Sequence, residues 1–454
     1  MDAFYSERKF AEKHISCNLN YTTKMIRLEK FNTIIFLAMF FSFAFISKIL
    51  QVFHVKITGI EYILWFCFTG VLFLVNVGSL SRSIIIKQTY FYLLFILIAF
   101  CVVNFFFADV TLLRYLQGAF FSFLFAANFI LFYNIRFEKK YFYFIANFLI
   151  LLITIIAAVG YIERIFVPGN YKLFFLRGIS TIAKEPSFAA SLFNINIILC
   201  LTLFMIKKRR EYLYVAAFSF ITITLLLFLK AILCSIIICV VFINIFYGAR
   251  FRKIFFSIFG FLFLLLMIFL GKPFFKEAQC KFNIYFGAKA EKAPRNALYI
   301  AGFKIAKDYF PLGSGQGTFG SYPVGKTYSK IYYKYNLSKV HGLSPDDVLK
   351  NTGSHFIFDT YWSHIIGEMG FIATFIYLWL WLFPALKSFP HIISKNTEVK
   401  ALSFFITLVT INIFIESIAV SMPEQLQFIM IYAGLGAISY KLLFNQLNST
   451  KQAM

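Results

Sequence analysis

Long apolar stretches separated by short polar connections run along most of this chain. A helix needs about 20 predominantly apolar residues to cross the hydrocarbon core of a bilayer, and stretches of this length recur throughout the sequence. We therefore predict an all-α polytopic membrane protein with about 12 transmembrane helices and one large outer loop. The predicted spans lie near residues 31–50, 60–79, 88–107, 116–135, 142–160, 187–206, 213–229, 231–247, 254–270, 367–386, 401–420 and 428–444.

These spans divide the chain into five parts. No small-residue cleavage site follows the first apolar run, so this run predicts a permanent span and not a signal peptide. The parts are an N-terminal arm (1–30), nine spans with a smaller outer loop at 161–186 (31–270), the large outer loop (271–366), three further spans (367–444) and a tail (445–454).

Basic residues concentrate in alternate short connections, which predicts the sidedness of the chain. Lysine and arginine in short loops favour the cytoplasmic side, whereas long loops escape this rule. The opposite short connections carry only Lys56, Arg114 and Lys230. Both termini are therefore predicted to be cytoplasmic, and the two long connections are predicted to face outward. The basic connections hold Arg82 and Lys87, then Arg136, Lys139 and Lys140, then Lys207, Lys208, Arg209 and Arg210, then Arg250, Arg252 and Lys253, and finally Lys387, Lys395 and Lys400.

Composition excludes a soluble protein and adds one requirement. The chain has 454 residues, of which 60% are hydrophobic and 14% are charged, whereas soluble domains carry about 25% charged residues. The formal net charge is +24, and many of the lysines lie in the large outer loop, which therefore needs an acidic partner. The seven cysteines show no spacing typical of metal binding or of a disulfide framework.

The first candidate for chemistry precedes the sixth predicted span. Arg177 and Lys184 supply two cations, and Glu185 precedes Pro186, a residue suited to the first turn of a helix. A helix N-terminus favours a neighbouring anion, and the two cations with free backbone N–H groups could hold a pyrophosphate. The alternative is ordinary helix capping with anchoring at the membrane interface.

The second candidate lies in the large loop. Ala297 to Tyr309 predicts a short amphipathic helix that follows Arg295 and carries Lys304. A glycine-rich turn comes next, in which Gly313 and Gly315 would permit close backbone approach to a ligand. No Gly-Lys-Ser/Thr follows, so this turn is not a nucleotide P-loop, and a flexible exposed turn is the alternative.

The third candidate enters the tenth predicted span. His355 and Asp359 are four residues apart, so a helix capped by Ser354 would place them on one face. A histidine oriented by a carboxylate suits general-base activation of a hydroxyl. His364 and Glu368 form a second such pair, and a hydrogen-bonded interfacial histidine is the alternative for both.

Ionisable residues are nearly absent from the spans themselves. Glu416 is the one deep carboxylate, and Lys230 falls at the short turn between the seventh and eighth spans. Charges within a membrane are candidates for function by default. Glu416 is expected to pair with a basic group at the outer face.

At the three candidate places the chain resembles the superfamily of O-antigen polymerases and O-antigen ligases. The stretch from Arg177-Gly178 to Glu185-Pro186-Ser187 is similar to the mid-chain motif of that superfamily. Arg295 with the run from Pro311 to Gly317, and His355 with the run to Glu368, resemble its loop and histidine motifs.

The resemblance implies a membrane-embedded glycosyltransferase of the bacterial inner membrane whose large loop is periplasmic. Its donor would be a glycan on undecaprenyl pyrophosphate, with no nucleotide sugar, cofactor or metal. Arg177 and Arg295 would contact the pyrophosphate, His355 would help to activate the acceptor hydroxyl, and Lys184, Glu185, Lys304, Gly313, Gly315 and Asp359 complete the expected site. The partners expected are the bilayer, the lipid-linked glycan and a chain-length regulator, with no nucleic acid.

Within the superfamily, two features favour a repeat-unit polymerase over a ligase that transfers finished polymer to lipid A core or a protein. These features are the Glu185-Pro186-Ser187 variant and Phe356 after His355. A transporter or flippase is the alternative from another class, and it would carry cations along a cavity within the spans.

Overall fold

A computed structural model of the protein describes residues 27–42, 60–80, 88–135, 137–166, 186–226, 228–247, 293–349, 356–421 and 424–452. Secondary structure within these ranges is entirely helical. The helices before the large loop are α1 (27–42), α2 (Ile60–Leu80), α3 (Gln88–Phe107), α4 (Leu112–Asn134), α5 (Lys139–Phe166), α6 (Pro186–Lys207), α7 (Glu211–Leu226) and α8 (Leu229–Phe246).

The second half of the chain begins with short helices and ends with long ones. The loop segment contains α9 (Pro294–Asp308), α10 (Tyr322–Lys326), α11 (Lys330–Lys334), a 3₁₀ turn (Leu337–Lys339) and α12 (Pro345–Leu349). The long helices are α13 (Tyr361–Ser388), which a 3₁₀ turn (Phe389–Ile393) extends, and α14 (Thr397–Glu416). The final helix comprises α15 (Leu426–Ile429), a π-helical stretch (Met430–Leu435) and α16 (Gly436–Gln452).

In the described part of the chain, seven helices are long and apolar enough to cross a membrane, which fits an all-helical multi-pass membrane protein. The seven spans are Tyr90–Phe107, Leu112–Asn134, Lys139–Ile162, Ser187–Lys207, Tyr361–Ile393, Thr397–Glu416 and Leu426–Ser449. Three shorter apolar helices, within α2, α7 and α8, coincide with further predicted spans. The predicted ninth span, 254–270, lies outside the described residues, so the count of twelve stays a prediction.

The loop segment 293–349 covers one end of the helix bundle, which we call the loop end. Asn104 near the end of α3 donates to the Leu312 carbonyl at 2.6 Å, and Arg114 at the start of α4 donates to the Gly317 carbonyl at 2.6 Å. At the opposite end, Lys139 pairs with Glu398 at the starts of α5 and α14. Helices α3, α4 and α5 therefore alternate in direction.

Helix α6 lies at the centre of the bundle and packs against α5, α7, α8 and α14. Nearly all of its side chains are buried. Because lipid cannot satisfy polar groups, hydrogen bonds between helices hold such contacts in register. Asn196 of α6 donates to the Ser219 hydroxyl at 3.0 Å, and Asn412 of α14 donates to the Ser191 hydroxyl at 3.4 Å.

The amphipathic helix predicted in the large loop is confirmed and starts three residues earlier, at Pro294. Proline suits this position because the first N–H groups of a helix have no intrahelical partner. Leu298, Ala301 and Ile305 form its buried face, and they pack in a separate apolar core with the loop residues Phe319 and Tyr332. The loop segment is therefore a folded unit on top of the bundle.

The prediction that Asp359 lies on a helical turn is wrong. Residues 356–360 form a turn, and α13 begins at Tyr361 with Thr360 as its N-cap. Tertiary hydrogen bonds hold this turn, because the Phe356 N–H donates to the Gly342 carbonyl at 2.9 Å and the Ser421 hydroxyl donates to the Phe358 carbonyl at 2.9 Å. Asp359 thus does not share a helix face with His355, which lies outside the described residues.

Candidate functional site

Arg295 and Asp359, predicted separately from the sequence, form an ion pair at the loop end. Arg295 stands in the first turn of α9, and Asp359 stands in the turn before α13. The Arg295 Nε donates to Asp359 Oδ2 at 3.0 Å, and Nη2 donates to the same oxygen at 2.8 Å. The two side chains are 36% and 27% exposed, so an incoming anion could reach the guanidinium.

A second ion pair joins Lys230 and Glu416. Lys230 lies in the first turn of α8, and Glu416 is the last residue of α14. The Lys230 Nζ lies 2.8 Å from Glu416 Oε2 and donates to the Glu416 backbone carbonyl at 3.3 Å. Glu416 is fully buried, whereas Lys230 retains 23% exposure. The basic partner expected for Glu416 is therefore Lys230.

The chain segment after Glu416 connects the two ion pairs. The Tyr361 N–H donates to the Ser417 carbonyl at 3.2 Å. The Tyr299 hydroxyl, one turn beyond Arg295, donates to the Ile418 carbonyl at 2.8 Å. One short segment, 417–421, therefore contacts the elements that carry both ion pairs. We call Lys230, Glu416, Arg295 and Asp359 the charge cluster.

The N-terminus of α6 lies at the same end of the bundle as the charge cluster. The Asn194 side chain donates to the Ala231 carbonyl at 3.0 Å, one residue beyond Lys230. The ring of Phe188 contacts that of Phe428, with centroids 5.9 Å apart. The predicted site residues Arg177, Lys184 and Glu185 lie outside the described residues, directly before this N-terminus.

The glycine-rich turn is buried against α13. Gly370 breaks the helical geometry of α13 with φ 71° and ψ 175°, and the turn occupies the resulting kink. An added Cβ would come within 2.3 Å of the Gly370 N at Gly313, and within 2.3 Å of Ala108 Cβ at Gly315. The close approach that these two glycines permit is thus to α13 and to the turn after α3, and a role for them in ligand binding stays a prediction.

Glu368 fixes the glycine-rich turn from inside the kink. Its Oε1 accepts hydrogen bonds from the Phe319 N–H at 2.7 Å and from the Ser321 hydroxyl at 2.6 Å. The backbone carbonyl of Glu368 accepts from the Gly315 N–H at 3.0 Å. This carboxylate is fully buried, so its contacts indicate that Glu368 positions the loop.

Lys304 lines a cavity of about 390 Å³ between α9 and the segment that follows α11. Lys334 lies on the facing wall and donates to the Tyr309 hydroxyl at 3.2 Å. Tyr335 donates to Asp308 at 2.7 Å, and burial followed by this carboxylate raises the pKa of the Tyr335 hydroxyl. The cavity therefore offers two ammonium groups, which suit phosphate or sugar oxygens, and a phenol oxygen that can accept from a sugar hydroxyl.

His364 is a buried residue of α13, 1% exposed. Its Nε2 lies 3.4 Å from Glu424 Oε1, and its ring meets that of Tyr361 edge-on at 4.9 Å. Burial, followed by the neighbouring Glu368, raises the pKa of Glu424 to about 8. These contacts place His364 in the packing between α13 and the start of the final helix, leaving His355 as the sequence candidate for a base.

Three residues in these contacts were not singled out as site candidates from the sequence. Arg114 is the single arginine in the short connections that carry few basic residues, and this isolation was a usable signal. Glu424 is a carboxylate between two apolar spans, which was another. Ser321 carried no signal, because only the fold brings it to Glu368. Among the described ranges, histidine, cysteine, aspartate and glutamate nowhere form a group of three that could hold a metal ion.

Comparison with known proteins adds no identification. No protein-family model matches this chain, and a search of curated proteins finds no match.

Proposed function

We propose that the protein polymerises oligosaccharide repeat units linked to undecaprenyl pyrophosphate at the periplasmic face of the bacterial inner membrane. The observation that carries the proposal is the common position of the charge cluster and the α6 N-terminus at the loop end. Three separate stretches of sequence that resemble the polymerase and ligase superfamily lead into this end of the bundle. A lipid-linked diphosphate lies at the same depth, where the bilayer meets water.

The chemistry of the proposed reaction matches the charges available. An acceptor hydroxyl attacks the anomeric carbon of the donor, its proton passes to a base, and the bond between that carbon and the diphosphate oxygen breaks. The diphosphate departs with the bonding electrons. Fixed cations stabilise the charge that develops on it, a role we assign to Arg295 and, from the sequence motif, Arg177. His355 is the proposed base.

The resting ion pairs fit this role. Without a substrate, Asp359 and Glu416 balance the charge of Arg295 and Lys230, which avoids the cost of an unpaired charge. Arg295 is the more accessible of the two cations, and its planar guanidinium can exchange a carboxylate for a phosphate with similar geometry. Arg295 is therefore the residue of the charge cluster that contacts the diphosphate of the glycan donor, and Lys230 mainly holds α8 against α14.

Gene deletion separates this function from its alternatives. Lipopolysaccharide from a polymerase-deficient cell should carry core plus a single repeat. A ligase-deficient cell would show bare core with lipid-linked polymer accumulating, and a flippase-deficient cell would show bare core with repeats held on the cytoplasmic side. Either of the latter patterns would refute the proposal.

Variants of Arg295 connect the function to the site. Arg295→Ala should abolish chain extension with protein levels unchanged, and Arg295→Lys should restore part of it, because lysine keeps the charge but not the bidentate geometry. Arg209→Ala is the matched control, since Arg209 is exposed at the opposite end of the bundle. Wild-type ladders from Arg295→Ala would remove this residue from the site.

A further inference from the structure

A second cavity, of about 550 Å³, opens at the loop end away from the charge cluster. The turn between α3 and α4 and the first turns of α4 form one wall, and α10 with the residue after it forms the other. Its volume lies in the range of ordinary ligand sites, about 300–1,000 Å³. It shares no residue with the charge cluster, which is built on α8, α9, α14 and the turn before α13.

Two cations line this cavity. The Arg114 Nε donates to the Gly317 carbonyl at 2.6 Å, while its Nη2 is buried and has no hydrogen-bond partner among the described residues. An unmatched buried donor on a charged group is costly. Because Nη2 is buried, the guanidinium must turn into the adjacent cavity to bind an anion there. Lys326 is exposed, and its Nζ lies 5.1 Å from the centre of the Tyr322 ring.

The other polar groups in the cavity suit hydroxyls better than bare phosphate. Asp109, Thr111, Gln117 and Thr327 line it together with the cations. The Asp109 Oδ2 accepts from the Lys330 Nζ at 2.9 Å, and its other carboxylate oxygen can accept a hydrogen bond from a sugar hydroxyl. The lining therefore matches a molecule that carries both an anionic and a hydroxyl-rich part.

An apolar surface lies directly beside the cavity. Phe106 and Phe107 at the end of α3 are 77% and 73% exposed, and Leu112, Leu113 and Leu116 at the start of α4 are 54–70% exposed. In a membrane-spanning bundle these side chains face lipid. A molecule with a long apolar chain could lie along this surface and place its polar head in the cavity.

We propose that this cavity holds the diphosphate and first sugar of the acceptor, a second polyprenyl-diphosphate-linked glycan. The assignment rests on the proposed function, which requires two lipid-linked glycans to be bound at once. Arg114 and Lys326 contact the diphosphate, Asp109 and Gln117 contact sugar hydroxyls, and the prenyl chain lies along Phe106, Leu113 and Leu116. The acceptor supplies its distal hydroxyl and keeps its own diphosphate, so no bond breaks in this cavity.

The two sites should differ kinetically. The donor diphosphate gains charge in the transition state, whereas the acceptor diphosphate is bound equally before and during the reaction. Loss of such uniform binding raises KM without lowering kcat. The charge cluster should therefore affect kcat, and this cavity should affect KM for the acceptor.

An analogue that cannot act as donor tests this assignment. In the analogue a methylene group replaces the oxygen between the sugar C1 and phosphorus of a polyprenyl-diphosphate repeat unit, so only its hydroxyl can react. Full-length protein in nanodiscs receives this analogue with a radiolabelled natural donor. Lys326→Glu and Arg114→Gln should each raise KM for the analogue tenfold or more, with kcat within twofold. Arg209→Ala should match wild type.

Each remaining outcome is decisive. An unchanged KM in both variants would overturn the acceptor assignment while leaving the polymerase proposal intact. Lys326→Glu keeps the test valid if Arg114→Gln misfolds, because Lys326 lies on the surface. Equal displacement of the analogue by phosphatidylglycerol would make the cavity a phospholipid site and overturn the assignment. Absence of any transfer by wild type would overturn both the proposed function and this inference.

Discussion

Glu368 illustrates how a single buried residue controls the geometry of the loop. Its Oε1 holds the Phe319 N–H and the Ser321 hydroxyl, which are both buried. Replacement by alanine would leave two buried donors unmatched, at a cost of about 1–3 kcal/mol each. The sequence alone paired Glu368 with His364 on one helix face, but the fold directs the carboxylate to the loop.

Glu368→Ala should lower the melting temperature of the purified protein more than Glu368→Gln does. Glutamine keeps one oxygen acceptor for the same two donors, so it retains part of the interaction. Thermal unfolding in detergent measures the difference. Equal melting temperatures for the two variants would show that Glu368 does not act through these hydrogen bonds.

Glu424 should make stability depend on pH. Its pKa is raised from 4.5 to about 8 in the folded protein, first by burial and then by Glu368. The folded state therefore keeps a proton that the unfolded chain loses near pH 4.5. Stability from this group is full below that value and falls as pH rises towards about 8, by up to about 1.4 kcal/mol per pH unit.

Melting curves of wild type and Glu424→Gln between pH 5 and pH 8 test this dependence. The amide keeps the shape of the side chain but does not ionise, so subtraction of the two curves isolates Glu424 from His364 and Glu368 nearby. The advantage of Glu424→Gln should grow with pH. Parallel curves would contradict the assignment of a shifted carboxyl.

Individual site residues were only partly predictable from the sequence. Residue type and position relative to the spans were enough to select Arg295 and Asp359, and the fold brings them together. The geometry of their contact was not predictable, because the turn at 356–360 depends on hydrogen bonds to Gly342 and Ser421, which are distant in sequence. Arg114 and Ser321 act through tertiary contacts that no local pattern encodes.

At the scale of elements, the kink in α13 depends on Gly370. Its φ of 71° and ψ of 175° fall in a region that is essentially restricted to glycine. An added Cβ would come within 2.6 Å of the Pro311 carbonyl oxygen and 2.7 Å of the Gly313 N. The kink therefore requires glycine both for its backbone angles and for the space that the loop occupies.

Gly370→Ala should destabilise the protein by about 1–3 kcal/mol from the backbone angles alone, with a further cost from the contact. Gly436→Ala is the matched control in α16, where an added Cβ meets nothing within 4 Å. Alanine should be neutral or slightly stabilising there. Similar melting temperatures for both variants would contradict the described kink.

The long helices were predictable because the bilayer imposes a length and a composition on each span. The amphipathic period likewise predicted α9 within three residues. The kink at Gly370 and the start of α13 at Tyr361 were not predictable, since hydropathy does not depend on where a helix begins or bends. The sequence did not show whether Gly313 and Gly315 approach a ligand or pack against another part of the protein.

For the whole molecule, the proposed function requires the loop end to face away from the cytoplasm. Lys330 in α11 is 88% exposed at that end, and Arg209 is exposed at the opposite end. A membrane-impermeant maleimide applied to spheroplasts should label Lys330→Cys directly. It should label Arg209→Cys only after the membrane is permeabilised, and the reverse pattern would contradict the proposed sidedness.

The most direct measurement uses purified protein in liposomes that receive only the lipid-linked repeat unit. We predict a ladder of lengthened glycans with release of undecaprenyl pyrophosphate, without any nucleotide sugar. Arg295→Ala should abolish the ladder, and Arg209→Ala should leave it unchanged. Wild-type protein that neither binds nor lengthens a polyprenyl-diphosphate glycan would contradict the account.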